Sequence, residues 1–295
     1  MPRARAAALD CNTRPTARGT GVSARESKLA SGWERGAASQ LGGRKEQQDR
    51  WSIFSSPRPE GVLAIIADGM GGHLDGALGA QTVVDIARGF VQESSESLHA
   101  DPPAALGRLC QRMHDAINAQ SETARSTVVM VWLQRDFAYW LNVGDSRLYH
   151  FRDGQRLMRT RDHSAVQLLM DLGEISESDM ASHPAQNRLY RCLGGAEIPK
   201  PDAGQFSIQD GDLLVLCSDG VWEYVTELEL WETTLAHGPT TAARALADEA
   251  VRRGGNIADN ATLILLRASA GTAAPPHWLR RVSAGFASLF HGERQ

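Results

Sequence analysis

From residue 33 onward, hydrophobic positions come in short runs separated by turn chemistry. Residues 50–54 and 62–67 read as strands, each followed by turn residues. Residues 73–92 carry Leu74, Leu78, Val83, Ile86 and Phe90 roughly on one helical face. A second helix is predicted over 102–120, opened by Asp101 as N-cap before Pro102 and Pro103. A β-rich block follows. Thr127–Gln134 and Phe137–Val143 are joined by a short turn at Arg135-Asp136. Arg147–Arg152 and Gln155–Thr160 flank Asp153-Gly154, a strong hairpin signal. Residues 163–182 read as two short helices broken near Gly173. Asp212–Cys217 is a buried strand entered through Asp210-Gly211. Helices are predicted near 226–236 and 239–253, and a last strand over Thr262–Arg267. Consecutive strands followed by helices, with few βαβ alternations and no internal repeat, predict an α+β fold of antiparallel sheets covered by helices.

The two ends differ from this pattern. Residues 1–30 lack periodicity and are basic, with Arg3, Arg5, Arg14, Arg18, Arg25 and Lys28; a disordered extension is expected there. Residues 31–268 form the folded domain. Residues 269–295 form a tail in which Trp278, Val282, Phe286 and Leu289 recur at helical spacing. It is expected to dock on the domain or stay disordered rather than lie on a membrane.

The 295 residues are 42% hydrophobic and 22% charged, which is enough apolar material for a normal core. A net charge of −4 gives no reason to expect nucleic acid as the partner. No apolar stretch is long enough for a membrane span, and the N-terminus has no apolar signal region. Cys11, Cys110, Cys192 and Cys217 show no zinc-ligand spacing, so a reducing, cytoplasmic compartment is expected.

The candidate chemistry lies in aspartates at strand ends. The apolar run 62–67 leads into Asp68-Gly69, and the run 213–218 leads into Asp219-Gly220. Asp49 precedes the strand at Trp51, Asp145 follows the one ending at Val143, and Asp259 precedes the last strand. A carboxylate at the end of a core strand is held rigidly, and oxygen ligands favour hard cations such as Mg²⁺ or Mn²⁺. Read singly, each of these is a turn or cap residue, and spacing alone does not show that they converge.

Six segments, in order and spacing, resemble the motifs of the bacterial type of PP2C-like (PPM) metal-dependent serine/threonine protein phosphatases. They are Arg44 to Asp49, Ala67 to His73, Asn142 to Arg147, Thr160 to Ser164, Cys217 to Trp222 and Ala258 to Thr262, and the resemblance covers roughly residues 33–268. It implies a four-layer α-β-β-α sandwich with two metal ions at one end. Asp68 would bridge both ions, Asp219 and Asp259 would complete the first, and the Gly69 carbonyl and Asp49 would serve the second. Asp145 would help Asp219 hold a third, weaker ion. Hydrolysis would proceed by direct attack of a metal-bridging hydroxide on phosphorus, with Arg44 engaging the phosphoryl oxygens. The implied partners are phosphorylated proteins and the Ser/Thr kinase that the enzyme opposes, and a monomer is expected. Residues 164–183 resemble a flap beside the site, with Asp162 and His163 bracing it.

The sequence departs from the pattern in places. Gln48 stands where some members carry a glutamate ligand, so a weaker second ion is expected. Met70 replaces a histidine found in animal members, and His73 is offset from it. The alternatives are a phosphatase-like binding module and a phosphatase of small phosphometabolites. The first requires loss of a metal aspartate, yet Asp68, Asp219 and Asp259 are all present. No Walker A, HExxH or GxSxG motif occurs, and no cysteine is followed six residues later by arginine.

Overall fold

A computed structural model describes residues 32–57, 60–71 and 73–269. The expectations for residues 1–30 and for the tail from 270 onward lie outside those residues.

Two antiparallel sheets form the middle of the molecule. One has the order β1 (Trp33–Gln40), β11 (Ala261–Ala268), β10 (Leu213–Cys217), β7 (Arg147–Arg152), β8 (Gln155–Arg159). The other has the order β2 (Asp49–Pro57), β3 (Glu60–Met70), β5 (Val128–Gln134), β6 (Phe137–Val143), β9 (Asp202–Ser207), with the two-residue β4 (Arg125–Ser126) also paired to β3. Side chains of a strand alternate between faces, and both faces of the central strands are apolar here. Val62, Ala64 and Ile66 of β3 pack with Leu214, Leu216, Ile264 and Leu266 in the layer between the sheets. Leu63, Ile65 and Ala67 face outward onto α1 (His73–Ala100) and α2 (Pro102–Gln120). On the other sheet Leu213, Val215, Cys217, Leu263 and Leu265 face α5 (Glu227–Gly254). Strands buried on both faces account for the continuous apolar runs in the sequence. The result is the four-layer α-β-β-α sandwich.

Local chemistry explains most boundaries. Asp101 accepts from the Ala104 N–H at 3.2 Å and caps α2. Thr226 and Glu229 form a capping box that opens α5. This helix is two segments across Gly238, whose φ of 73° followed by Pro239 interrupts the helical backbone. That break is the predicted gap between 226–236 and 239–253. Residues 163–182 hold α3 (Ala165–Asp171) and a 3₁₀ turn over 177–182, separated by Gly173 at φ 75°. Helix α1 runs eight residues beyond the predicted 92, through a kink at Ser94.

Topology decides what meets. Asp49 begins β2 and lies directly across from Asp68 near the end of β3. Asp145 sits between β6 and β7. Asp219 follows β10, whose last residue Cys217 pairs with Arg147, and opens the short helix α4 (Asp219–Trp222). Asp259 precedes β11, and the Ser218 N–H donates to the Thr262 carbonyl at 3.0 Å. All five positions therefore fall at one end of the sandwich.

Candidate metal and phosphate site

The backbone at this end is held from several sides. The Asp68 N–H donates to Thr127 Oγ1 at 3.0 Å, and its carbonyl accepts from the Thr127 N–H at 2.8 Å and from Ser126 Oγ at 3.1 Å. Thr127 Oγ1 also meets Ser146 Oγ at 2.8 Å. The Gly69 N–H donates to the Gln48 carbonyl at 3.2 Å. A Cβ at Gly69 would lie 1.9 Å from the Gly76 carbonyl oxygen, so no larger residue fits between β3 and the first turn of α1. Arg50 donates to the carbonyls of Gln47 and Asp49 at 2.7 and 2.9 Å, and Asn260 Oδ1 accepts from the Gln48 N–H at 2.7 Å. The strand ends are thus tied to one another before any ligand is considered.

The carboxylates face each other with little to neutralise them. Asp49 is buried at 3% exposure, and its Oδ2 accepts from Ser218 Oγ at 2.7 Å. Burial pushes its acid up to about 8, aided by the charges of Asp219 and Asp259 and opposed by hydrogen bonds from Thr262 and Ser218. Burial also raises Asp68 well above the usual carboxylate range, with Asp219, Asp49, Asp145 and Asp259 adding to the effect. Asp145 is raised by burial, Asp219 and Asp162, with Arg147 acting against them. Asp219 is raised to about 6 by burial and Asp259, against the Gly220 N–H and Arg44. Each aspartate is therefore held near others where its own negative charge is unfavourable.

Arg44 lies at the outer side of this group. Its guanidinium pairs with the Asp259 carboxylate. Partial burial works against its charge, while Asp259, Asp219 and Asp68 raise its basicity. The residue expected to meet phosphate therefore occupies the same edge as the aspartates.

Among the described residues, no three His, Cys, Asp or Glu side chains converge as a finished metal cage. The donor chemistry nevertheless fits hard divalent cations: oxygen atoms only, uncompensated negative charge, and rigid strand ends. Mg²⁺ and Mn²⁺ commonly keep several water ligands, so a closed protein cage is not required.

One carboxylate of the site was not anticipated from the sequence. Glu223, one helical turn after Asp219, is pushed up to about 8 by burial, Asp219 and Asp259. The i, i+4 spacing from Asp219 was its available signal. Ser218, Thr127 and Asn260 were also missed, since nothing in their local sequence marks them as braces. The expected brace behind the site is present. Arg147 grips Asp162 with Nε at 3.0 and 3.1 Å and Nη2 at 2.6 Å, stacked 3.6 Å from the Trp222 ring. Trp222 Nε1–H donates to the Asp145 carbonyl at 3.0 Å. His163 accepts the Gly144 N–H at Nδ1, 3.1 Å away. The side chain of His73 lies outside what the structure describes.

These features define a two-sheet sandwich with an acidic, cation-seeking end. Residues 58–269 match the family described as Stage II sporulation protein E (SpoIIE). A serine/threonine phosphatase, stp, of Listeria monocytogenes is 31% identical over 196 residues, covering 64% of this chain and 77% of that one. The serine/threonine phosphatase structure of S. agalactiae aligns at a TM-score of 0.70 with 28% identity, covering 80% of this chain and all of that one (100%). The catalytic domain of the serine/threonine protein phosphatase PstP, in complex with 2 manganese ions, aligns at 0.68 with 26% identity, covering 81% of this chain and 99% of that one. The chain belongs to the PP2C-type (PPM) family of metal-dependent serine/threonine phosphatases.

Proposed function

We propose that this chain removes phosphate from phosphoserine and phosphothreonine in proteins with Mn²⁺ or Mg²⁺ held by Asp49, Asp68, the Gly69 carbonyl, Asp219 and Asp259. Asp145 and Asp219 would hold a third, weaker ion. The observation that carries this reading is the convergence of Asp49, Asp68, Asp145 and Asp219 at one end of the sandwich, Asp49 and Asp145 buried and Asp68 and Asp219 half-buried, each acid weakened by loss of water and by its neighbours' charges. Such a group is costly without cations and favourable with them.

When bound, the cations supply neutralisation of phosphate charge and a water acidic enough to react near neutral pH. The chain's own residues do the positioning. Arg44 offers a planar fork that matches two phosphoryl oxygens, and it reaches them by leaving Asp259. Ser218 Oγ fixes the orientation of Asp49. Trp222, held under Arg147, fixes the peptide of Asp145. Gln48 brings a neutral amide where a carboxylate would bind more strongly, so the second cation is the weaker of the first two. The proposal includes a cytoplasmic monomer that opposes a Ser/Thr kinase. It is consistent with free thiols at Cys110, Cys192 and Cys217. Among the described residues no helix is long and apolar enough to cross a membrane.

The test is hydrolysis of p-nitrophenyl phosphate and a phosphothreonine peptide with Mn²⁺, with and without EDTA, by wild type and Asp219→Ala. Turnover that needs metal and is lost in the variant supports the reading. A wild type inert at every Mn²⁺ and Mg²⁺ concentration removes it and leaves a binding module.

A further inference from the structure

The edge strands β8 and β9, one from each sheet, leave the sandwich open at the end away from the aspartates. Between them lies a cavity of about 320 Å³, at the small end of ligand sites. Its apolar wall is Trp140, Leu157, Met158 and Phe206. None of the four is fully covered by the chain, and Leu157 is 50% exposed. The polar wall is a built cluster. Asp212, fully buried, accepts from His150 Nε2 at 2.8 Å and from Arg152 Nε and Nη2 at 2.7 and 2.8 Å. The His150 ring stacks on Phe206 with centroids 4.3 Å apart. Burial lowers the basicity of His150. The ring is therefore neutral, its proton sits on Nε2 toward Asp212, and Nδ1 is left as an acceptor.

The last described residues lie at this same end. The Gly211 N–H donates to the Ala268 carbonyl at 2.9 Å, and the Ala268 N–H to the Asp212 carbonyl at 2.8 Å. The end of β11 thus rests on the residue that holds His150 and Arg152. Leu213 pairs with Arg267 on one side and Phe151 on the other, so two strand spacings, about 10 Å, separate β11 from β7. The stretch from Ser269 to Trp278 reaches up to about 30 Å. At helical rise the stripe from Trp278 to Leu289 measures about 17 Å, against about 20 Å for the six residues of β9. Arg280 and Arg281 follow the tryptophan. The turns at this end carry Asp136, Asp153 and Asp210, all exposed, with Arg135 beside them. Residues 1–31, which join the domain at the neighbouring Gly32, hold no aromatic side chain.

We propose that the tail 270–295 folds back over the open edge between β8 and β9, and that Trp278 fills the cavity there. An indole brings a flat apolar body for the aromatic wall and an N–H donor for His150. Two edge strands that would otherwise be open to other chains are covered in this way. The seat lies at the opposite end from the aspartates, so it does not depend on the phosphatase reading.

The experiment uses the full chain as wild type, Trp278→Ala, Leu157→Ala and the double variant. Hydrogen exchange is followed over 202–207, with 213–217 as the internal reference, and sedimentation is measured over a dilution series. Trp278→Ala is expected to speed exchange over 202–207 by about tenfold and leave 213–217 unchanged. Leu157→Ala, at the mouth of the cavity, is expected to speed it about threefold alone and to add little once Trp278 is gone. Wild-type protection should not change with protein concentration. Unchanged exchange in Trp278→Ala overturns the docking. Equal acceleration over 213–217 overturns the assignment of the site, and fully additive effects overturn the contact between Trp278 and the cavity. Protection that fades on dilution, with a dimer in sedimentation, makes a second copy the occupant and overturns the fold-back.

Discussion

Removing metal should leave a protein that becomes less stable as pH rises through neutrality, the reverse of ordinary acid denaturation. Asp49 and Glu223 are both raised to about 8 in the folded chain. In the unfolded chain they ionise near pH 4, so between the two values the folded state holds protons that the unfolded state has released. Stability supplied by such a group is full below the unfolded value and is lost as pH climbs to the folded one. Each retained proton corresponds to about 1.4 kcal/mol per pH unit. Between pH 6.5 and 8.0 one such group therefore removes about 2 kcal/mol, or about 4–8 °C of Tm for a domain of this size. The buried histidines His114, His150 and His163, all lowered chiefly by burial, oppose the trend by at most about 0.4 kcal/mol each, because their unfolded forms are still half-protonated at pH 6.5. The assay is urea unfolding of EDTA-treated protein at pH 6.5 and 8.0, for wild type and Asp49→Asn. The variant keeps the shape but has no proton to release, so its stability should fall less by about one proton's share. Mn²⁺ at a hundred times its Kd should restore about 2.7 kcal/mol per ion at pH 8.0. Equal stability at the two pH values, or the same slope in Asp49→Asn, would mean that Asp49 holds no extra proton in the folded chain.

Two further outcomes follow from single contacts. Asp162→Ala leaves the Arg147 guanidinium buried without its carboxylate, and is expected to cost about 3–5 kcal/mol in chemical denaturation; Arg147→Met combined with Asp162→Leu should recover most of it. Gly69→Ala drives a methyl group into the Gly76 carbonyl, so calorimetry should show weakened Mn²⁺ binding and scanning calorimetry a lowered Tm, whereas Gly107→Ala, inside α2 where an added Cβ meets nothing within 4 Å, should leave Mn²⁺ binding unchanged and raise Tm slightly.

Strand and helix boundaries were legible where side-chain period and capping agree. Asp101 before two prolines marked α2, Asp153-Gly154 marked the β7–β8 hairpin, and two helices near 226–236 and 239–253 were expected where α5 breaks at Gly238. β9 escaped notice because its run, Asp202–Ser207, holds a glycine and only one large apolar residue. Its place is set by pairing to β6, with the Trp140 ring lying over Gly204. The aspartates were legible as strand-end residues. Their convergence was not, because it depends on non-local pairings such as Asp49 with Asp68 across the β2–β3 ladder. The resemblance to known motifs supplied what spacing could not. Arg44 was legible as a cation next to the site, but its pairing with Asp259 spans 215 residues and has no sequence signal. Glu223 was hidden for a different reason. A glutamate at the end of a short helix reads as solvated, and only burial beside Asp219 changes its chemistry.

Capacity for divalent cations at this acidic end underlies every role proposed for its aspartates. It is tested most directly by calorimetric titration of Mn²⁺ into the metal-stripped chain at pH 8.0, for wild type and Asp68→Asn. The wild type is expected to show two binding events, one weaker than the other, and the variant to lose both, because Asp68 is assigned to both ions. Wild type that takes up no Mn²⁺, or an Asp68→Asn isotherm identical to it, would mean that these aspartates do not form a divalent-cation site.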